Sequence, residues 1–203
     1  MYPGYMIVID LKTTGPNTKK NSIISIGAVD FSNPVNQFYQ ECRMRAGSEF
    51  DIDAIRKIGL TVNDIDDPTK QSLDTLIKEF MIWSHLDVND RTLAGVNPSY
   101  DTGFLKYSYK YCGRYWDFGY NTIDLHSLII AHKLRLGNSI KLGKARVSDL
   151  NLVEFLFYLG INHRPLPNNT LDCAKLKAEA FSRIIYRKSM FDEFKSSAIP
   201  EYL

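Results

Sequence analysis

Residues 22–31 (SIISIGAVDF) are a run of β-branched and apolar residues that reads as a strand buried in a sheet. Residues 6–10 read as a shorter buried strand before it. Ser32, Asn33 and Pro34 signal a turn after it, so residues 35–43 are expected to return as an antiparallel partner and complete a hairpin. Asp51 and Asp53 can cap a short helix over 54–58, ended by Gly59. The apolar stripe Leu73, Leu76, Ile77, Phe80, Met81 and Trp83 predicts a helix over 71–85. Residues 91–96 (RTLAGV) read as a fourth strand, after which Asn97 and Pro98 open a helix. Further helices are expected over 123–134, 147–159 and 171–188. Strands gather early and helices late, with strand-helix alternation between them, and that order favours a mixed sheet flanked by helices.

With 203 residues, 44% of them hydrophobic, the chain can bury one substantial core. One domain, 1–203, is expected, with a core over about 5–188 and a loosely held tail at 189–203. The 25 basic and 23 acidic residues nearly cancel to a net charge of +2, so any site for a polyanion must come from local clustering. Cys42, Cys112 and Cys173 follow no Cys-x-x-Cys spacing, which argues against a disulfide framework or a zinc site and suits a reducing compartment. No basic segment leads an apolar run of signal length and no stretch approaches a membrane span, so a soluble cytoplasmic protein without membrane contact is expected.

Residues 6–15 (MIVIDLKTTG) carry an apolar strand into Asp10 and turn through Thr13, Thr14 and Gly15. Residues 94–105 (AGVNPSYDTGFL) bring a strand to Asn97 and then a helix presenting Asp101. Residues 149–161 (DLNLVEFLFYLGI) lead to His163, and Asp172 opens the segment DCAKLKAEAF. Together with residues 54–61 (AIRKIGLT), these segments resemble, in order, the motifs of the DEDDh 3′-to-5′ exonucleases. The first motif of that family reads Asp-x-Glu-Thr-Thr-Gly, and Lys12 stands where it has Glu. The resemblance spans about 5–186 and implies the ribonuclease H-like α/β exonuclease fold, a mixed five-stranded sheet with helices on both faces.

For function, the resemblance implies removal of nucleotides from single-stranded DNA or RNA 3′ ends with two Mg²⁺ or Mn²⁺ ions. Asp10, Asp101 and Asp172 would be metal ligands and His163 the general base. Thr13, Thr14 and Asn97 would line the pocket of the terminal nucleotide. Carboxylates suit this task because phosphodiester cleavage gathers negative charge that two hard cations about 3.5–4 Å apart can stabilise. Two departures stand out. Lys12 replaces a carboxylate by an ammonium, which could take an ion's place among Asp10, Asp101 and Asp172; Lys12→Glu is then expected to restore a ligand. His163 and Asp172 are nine residues apart where the family has five, so residues 165–170 must loop out.

Plainer readings stand beside these. Asp10 could be a turn residue, Asp101 and Asp172 first-turn helix acids, and His163 a loop residue beside Arg164. Lys12 could simply be solvated. Lys133, Arg135, Lys141, Lys144 and Arg146 could contact phosphates or form a solvated loop. Tyr107, Tyr109, Tyr111, Tyr115 and Trp116 could stack bases or pack a helix. Two function classes remain open on the sequence: a metal-dependent exonuclease, with a homodimer not excluded, or a catalytically silent relative that binds nucleic-acid ends or serves as a protein-interaction subunit.

Overall fold

The structure is a computed structural model and describes residues 6–86, 88, 91–145, 148–162 and 165–203. Its centre is a five-stranded sheet in the order β3-β2-β1-β4-β5. Strands β1 (Ile7–Thr13), β2 (Ile23–Asp30) and β3 (Gln37–Glu41) form the antiparallel part, while β4 (Leu93–Gly95) and β5 (Thr122–Asp124) run parallel to β1. Strand β2 is buried along its whole length, as its composition requires. The helices are α1 (Ile52–Lys57), α2 (Val62–Ile65), α3 (Leu73–Leu86), α4 (Pro98–Tyr111), α5 (Leu125–Arg135), α6 (Leu152–Tyr158) and α7 (Thr170–Tyr186).

The alternation of side chains along β1 divides the core in two. Ile7 and Ile9 face Leu76, Phe80, Phe104 and Leu105 of α3 and α4, whereas Met6 and Val8 face Ile129, Phe155 and Phe181 of α5, α6 and α7. Each such buried side chain contributes about 1.5–3 kcal/mol. This is the expected sheet with helices on both faces.

Three local differences have clear causes. The fifth strand is Thr122–Asp124, overlapping the start of the stretch 123–134 expected to be helical, because Asp124 ends β5 and also caps α5 by accepting from the His126 and Ser127 amides. Helix α2 was not anticipated; it has only four residues and rests on a capping box between Thr61 and Asp64.

The tail is not loosely held. Glu179 and Arg183, both fully buried on α7, form an ion pair of 2.7 Å. Glu179 accepts from the Met190 and Phe191 amides, and Arg183 donates to the carbonyls of Phe194 and Ser197. The tail carbonyl of Ala198 passes so close to Gly160 that a Cβ there would lie 2.3 Å from it.

Candidate functional site

The first turn of α7 lies directly on β2. A Cβ at Gly27 would fall 2.2 Å from the Thr170 carbonyl carbon, so only glycine admits this approach, and the Ser25 and Thr170 hydroxyls bond at 2.7 Å. Gly27 and Ser25 are the register partners of Asp10 and Lys12 on β1. Helix α7 therefore starts beside the two residues that open the candidate site.

The helix turns Cys173 and Lys177, one turn apart, toward Asp10. The Lys177 ammonium is buried, 2.6 Å from Asp10 Oδ1, and donates to the Ile9 carbonyl at 3.0 Å. Burial alone would lower its pKa, but Asp10 and then Asp101 outweigh that and hold it above the ordinary lysine value. Cys173 is also buried, its thiol 3.4 Å from the Pro167 carbonyl. Burial first, then Asp10, pushes that thiol up to about 12, so it is neutral near pH 7, and its soft sulfur suits Mg²⁺ or Mn²⁺ less than a carboxylate oxygen would.

Asp101 reaches the same point from α4. It is 6% exposed, and a Cβ on Gly95 would lie 3.7 Å from its Oδ2. Burial is the main cause of its raised pKa, with Asp10 adding and Lys177 and the Leu11 amide opposing, and the carboxyl is pushed up to about 7. The sequence thus identified Asp10 and Asp101 as neighbours, but the cation between them is Lys177.

Asp172 does not join them. It is exposed, faces away from Cys173 on α7, and lines a separate depression with Pro167, Leu176 and Glu193. A step of one residue on a helix turns a side chain by about 100°, and this moves the acid off the site. Lys12 contacts neither Asp10 nor Asp172: it has no ion pair among the described residues and lines a cavity with Tyr39, Glu41, Leu60, Lys70 and Asn168. His163, like Arg146 and Arg164, lies outside the described residues. The family's interval of five, counted back from Cys173, reaches Asn168, whose amide lies over Gly59. Cys173, Asn168 and Lys177 are the site residues that the sequence reading missed.

The expected substrate contacts are mostly committed to the fold. Thr14 is fully buried, donating to the Glu49 carbonyl and accepting from the Ser22 amide, so its side chain cannot line a substrate pocket. Thr13 bonds the Tyr100 hydroxyl at 2.9 Å and donates to the Gly15 carbonyl at 3.0 Å. Asn97 is exposed in a left-handed conformation (φ 52°), with its amide donating to Asp124 and its side chain accepting from Ser99. In the basic segment, Lys141 stands between Asp149 and Glu154, and Lys133 over the Tyr158 ring. Tyr109 and Trp116 pack edge to face in the core, whereas Tyr115 is exposed.

This donor set does not fit a pair of divalent ions. Two carboxylates converge, an ammonium already sits on one of them, and the neighbouring α7 position is a neutral thiol. Among the described residues no group of three or more His, Cys, Asp or Glu could hold a metal ion.

A pH dependence follows from Asp101. The folded protein binds a proton there up to about pH 7, while an unfolded aspartate releases it near 3.9. The contribution to stability is therefore full below about pH 4, declines as pH rises through about 7, and is level above. Lys177, with its pKa raised, keeps its own contribution throughout this window. Urea denaturation should show a loss on the order of a few kcal/mol between pH 5 and 8 that Asp101→Asn removes. Equal pH slopes in the two proteins would contradict it.

No protein-family model and no curated protein matches the sequence. Solved structures do. The nuclease domain of 3′hExo, a DEDDh family member bound to rAMP, matches with a TM-score of 0.66 at 16% identity, over 97% of this chain and 96% of that one. Cell-death related nuclease 4 (CRN-4) matches with a TM-score of 0.69 at 15% identity, over 91% of this chain and 64% of that one. E. coli exonuclease I in complex with a dA16 oligonucleotide matches with a TM-score of 0.67 at 12% identity, over 90% of this chain and 41% of that one. The chain thus spans less than two thirds of CRN-4 and under half of exonuclease I. No helix among the described residues is long and apolar enough to cross a membrane. The five-stranded mixed sheet, its helices on both faces and these matches together identify the chain's architecture as the ribonuclease H-like exonuclease fold.

Proposed function

We propose that this chain is an exonuclease-fold protein that binds the 3′ end of a single-stranded nucleic acid and does not hydrolyse it. The observation that carries this reading is the Lys177 ammonium, 2.6 Å from Asp10 Oδ1, where a metal ligand would need a free oxygen. Replacements at three further places act in the same direction: Lys12 for a carboxylate, Cys173 beside Asp10, and Asn168 at the interval where the family has its base. Binding is supported by the fold's solved relatives, which hold rAMP or a dA16 oligonucleotide, and by the cavity between Lys12 and Asn168, which stays open.

The test is a polarisation titration with labelled single-stranded DNA and RNA, in EDTA and in Mg²⁺, with the products run on a denaturing gel. The expected result is binding that prefers a free single-stranded 3′ end, weakens with salt as phosphate contacts require, is the same in EDTA, and leaves the oligonucleotide intact. Nucleotide release in Mg²⁺ by the unmodified chain would favour the hydrolase reading and overturn this one, as would an absence of binding.

A further inference from the structure

The cavity that Lys12 lines has a volume of about 270 Å³, just below the roughly 300–1,000 Å³ of small-molecule sites. Three carboxylates stand in or beside it: two are paired with a lysine, and the third, Asp64, is held by hydrogen bonds from uncharged Thr61. Glu41 is 2.8 Å from the Lys70 ammonium and accepts from the Tyr39 hydroxyl. Asp64 accepts from the Thr61 amide at 2.7 Å and the Thr61 hydroxyl at 2.6 Å. Asp10 is held by Lys177. Lys70 and Lys177 are neutralised in the same pairs. Lys12 differs from both of them: it is half-buried and has no ion pair to any described residue. Burial lowers its pKa despite nearby Cys173, Asp10 and Glu41. An ammonium held partly out of water without a counter-ion is a site for an anion.

The remaining walls narrow the anion's identity. Ile24, Ile58 and Leu60 are apolar lining residues and Asn168 brings an amide, while the Asn169 side-chain oxygen is taken up in capping α7. Apolar surface beside a hydrogen-bonding amide and one ammonium without an ion pair suits a nucleoside monophosphate unit better than a bare oxyanion.

We propose that Lys12 is a phosphate-binding residue, which receives the phosphate of a terminal nucleotide in this cavity without a divalent ion. The proposal rests on the end-binding reading and deepens it: the residue that departs from the exonuclease motif acquires the task of holding the phosphate. The ammonium acts as a point charge donating to a non-bridging oxygen. The base or sugar lies against Leu60, and Asn168 contributes its amide.

The experiment is calorimetric titration, in EDTA, of the unmodified chain and of Lys12→Ala, Lys12→Arg and Lys12→Glu with AMP, adenosine and inorganic phosphate. AMP is expected to bind the unmodified chain about tenfold or more tighter than adenosine or phosphate. That preference should persist in Lys12→Arg and vanish in Lys12→Ala and Lys12→Glu. An unchanged preference in Lys12→Ala would overturn the assignment, and so would AMP affinity that appears only on adding Mg²⁺. Inorganic phosphate binding as tightly as AMP would overturn the nucleotide part.

A single-stranded oligonucleotide, run alongside in EDTA, separates the two claims. Equal binding by the unmodified chain and Lys12→Ala would sink the role of Lys12 and leave end binding standing. No oligonucleotide binding, or nucleotide release in Mg²⁺, would sink end binding itself.

Discussion

Lys177→Met is expected to destabilise the protein by about 3–5 kcal/mol at pH 8, the range for removing one partner of a buried pair. Methionine keeps most of the lysine stem, so the loss reports the charge more than the packing. Without the ammonium, Asp10 on β1 and nearby Asp101 have no counter-ion, and the Ile9 carbonyl loses its donor. For a chain of 203 residues, at roughly 2–4 °C per kcal/mol, the fall in Tm is on the order of 10 °C. The loss should shrink at pH 5, because Asp101, with its pKa pushed up to about 7, is then protonated and needs the cation less. Urea denaturation at both pH values measures this. A change below about 1 kcal/mol at pH 8, as for an exposed pair, would show that Lys177 is not the counter-ion of the site.

The strands were legible wherever composition alone forces burial. Residues 22–31 could hardly be anything else, and β2 occupies Ile23–Asp30. Strand β5 was hidden because its three half-buried residues merge into a capped helix. Glu179 and Arg183 have the i,i+4 spacing common to exposed helix pairs and were not singled out in the sequence; the path of residues 189–203 over them makes them a buried anchor.

At the site, Asp10 and Asp101 were legible because Asp10 lies on, and Asp101 follows, a strand that had already been identified. Asp172 attracted the motif because it is an acid near the expected place. The first turns of α7 pointed elsewhere: their buried positions are Thr170, Cys173, Ala174, Leu176 and Lys177, and Asp172 is not among them. Counting five residues back from each candidate would have found Pro167 for Asp172 and Asn168 for Cys173. The reach of Lys177 to Asp10 had no sequence signal, since it depends on how closely Thr170 approaches Gly27.

Lys12→Glu alone was expected from the sequence to restore a metal site, and the structure changes that expectation. Lys177 remains on Asp10 in that variant. A unit charge pair at 4 Å is worth about 4 kcal/mol at an effective dielectric of about 20, and an ammonium opposing a divalent ion there about twice as much. Restoring an acidic set requires freeing Asp10 and supplying a carboxylate from the facing turn of α7 as well. The variant Lys12→Glu, Asn168→His, Cys173→Asp and Lys177→Ala makes each of these changes. It is expected to gain saturable Mn²⁺ binding and slow metal-dependent cleavage of a labelled oligonucleotide, with Lys12→Glu by itself gaining neither.

Calorimetric titration of Mn²⁺ into the unmodified chain, beside Lys177→Ala, tests the central claim most directly. With the ammonium in place, no saturable heat is expected at millimolar Mn²⁺, while Lys177→Ala should show weak binding that Asp10→Asn abolishes. Saturable binding of one or two Mn²⁺ ions by the unmodified chain, lost on Asp10→Asn, would contradict the account.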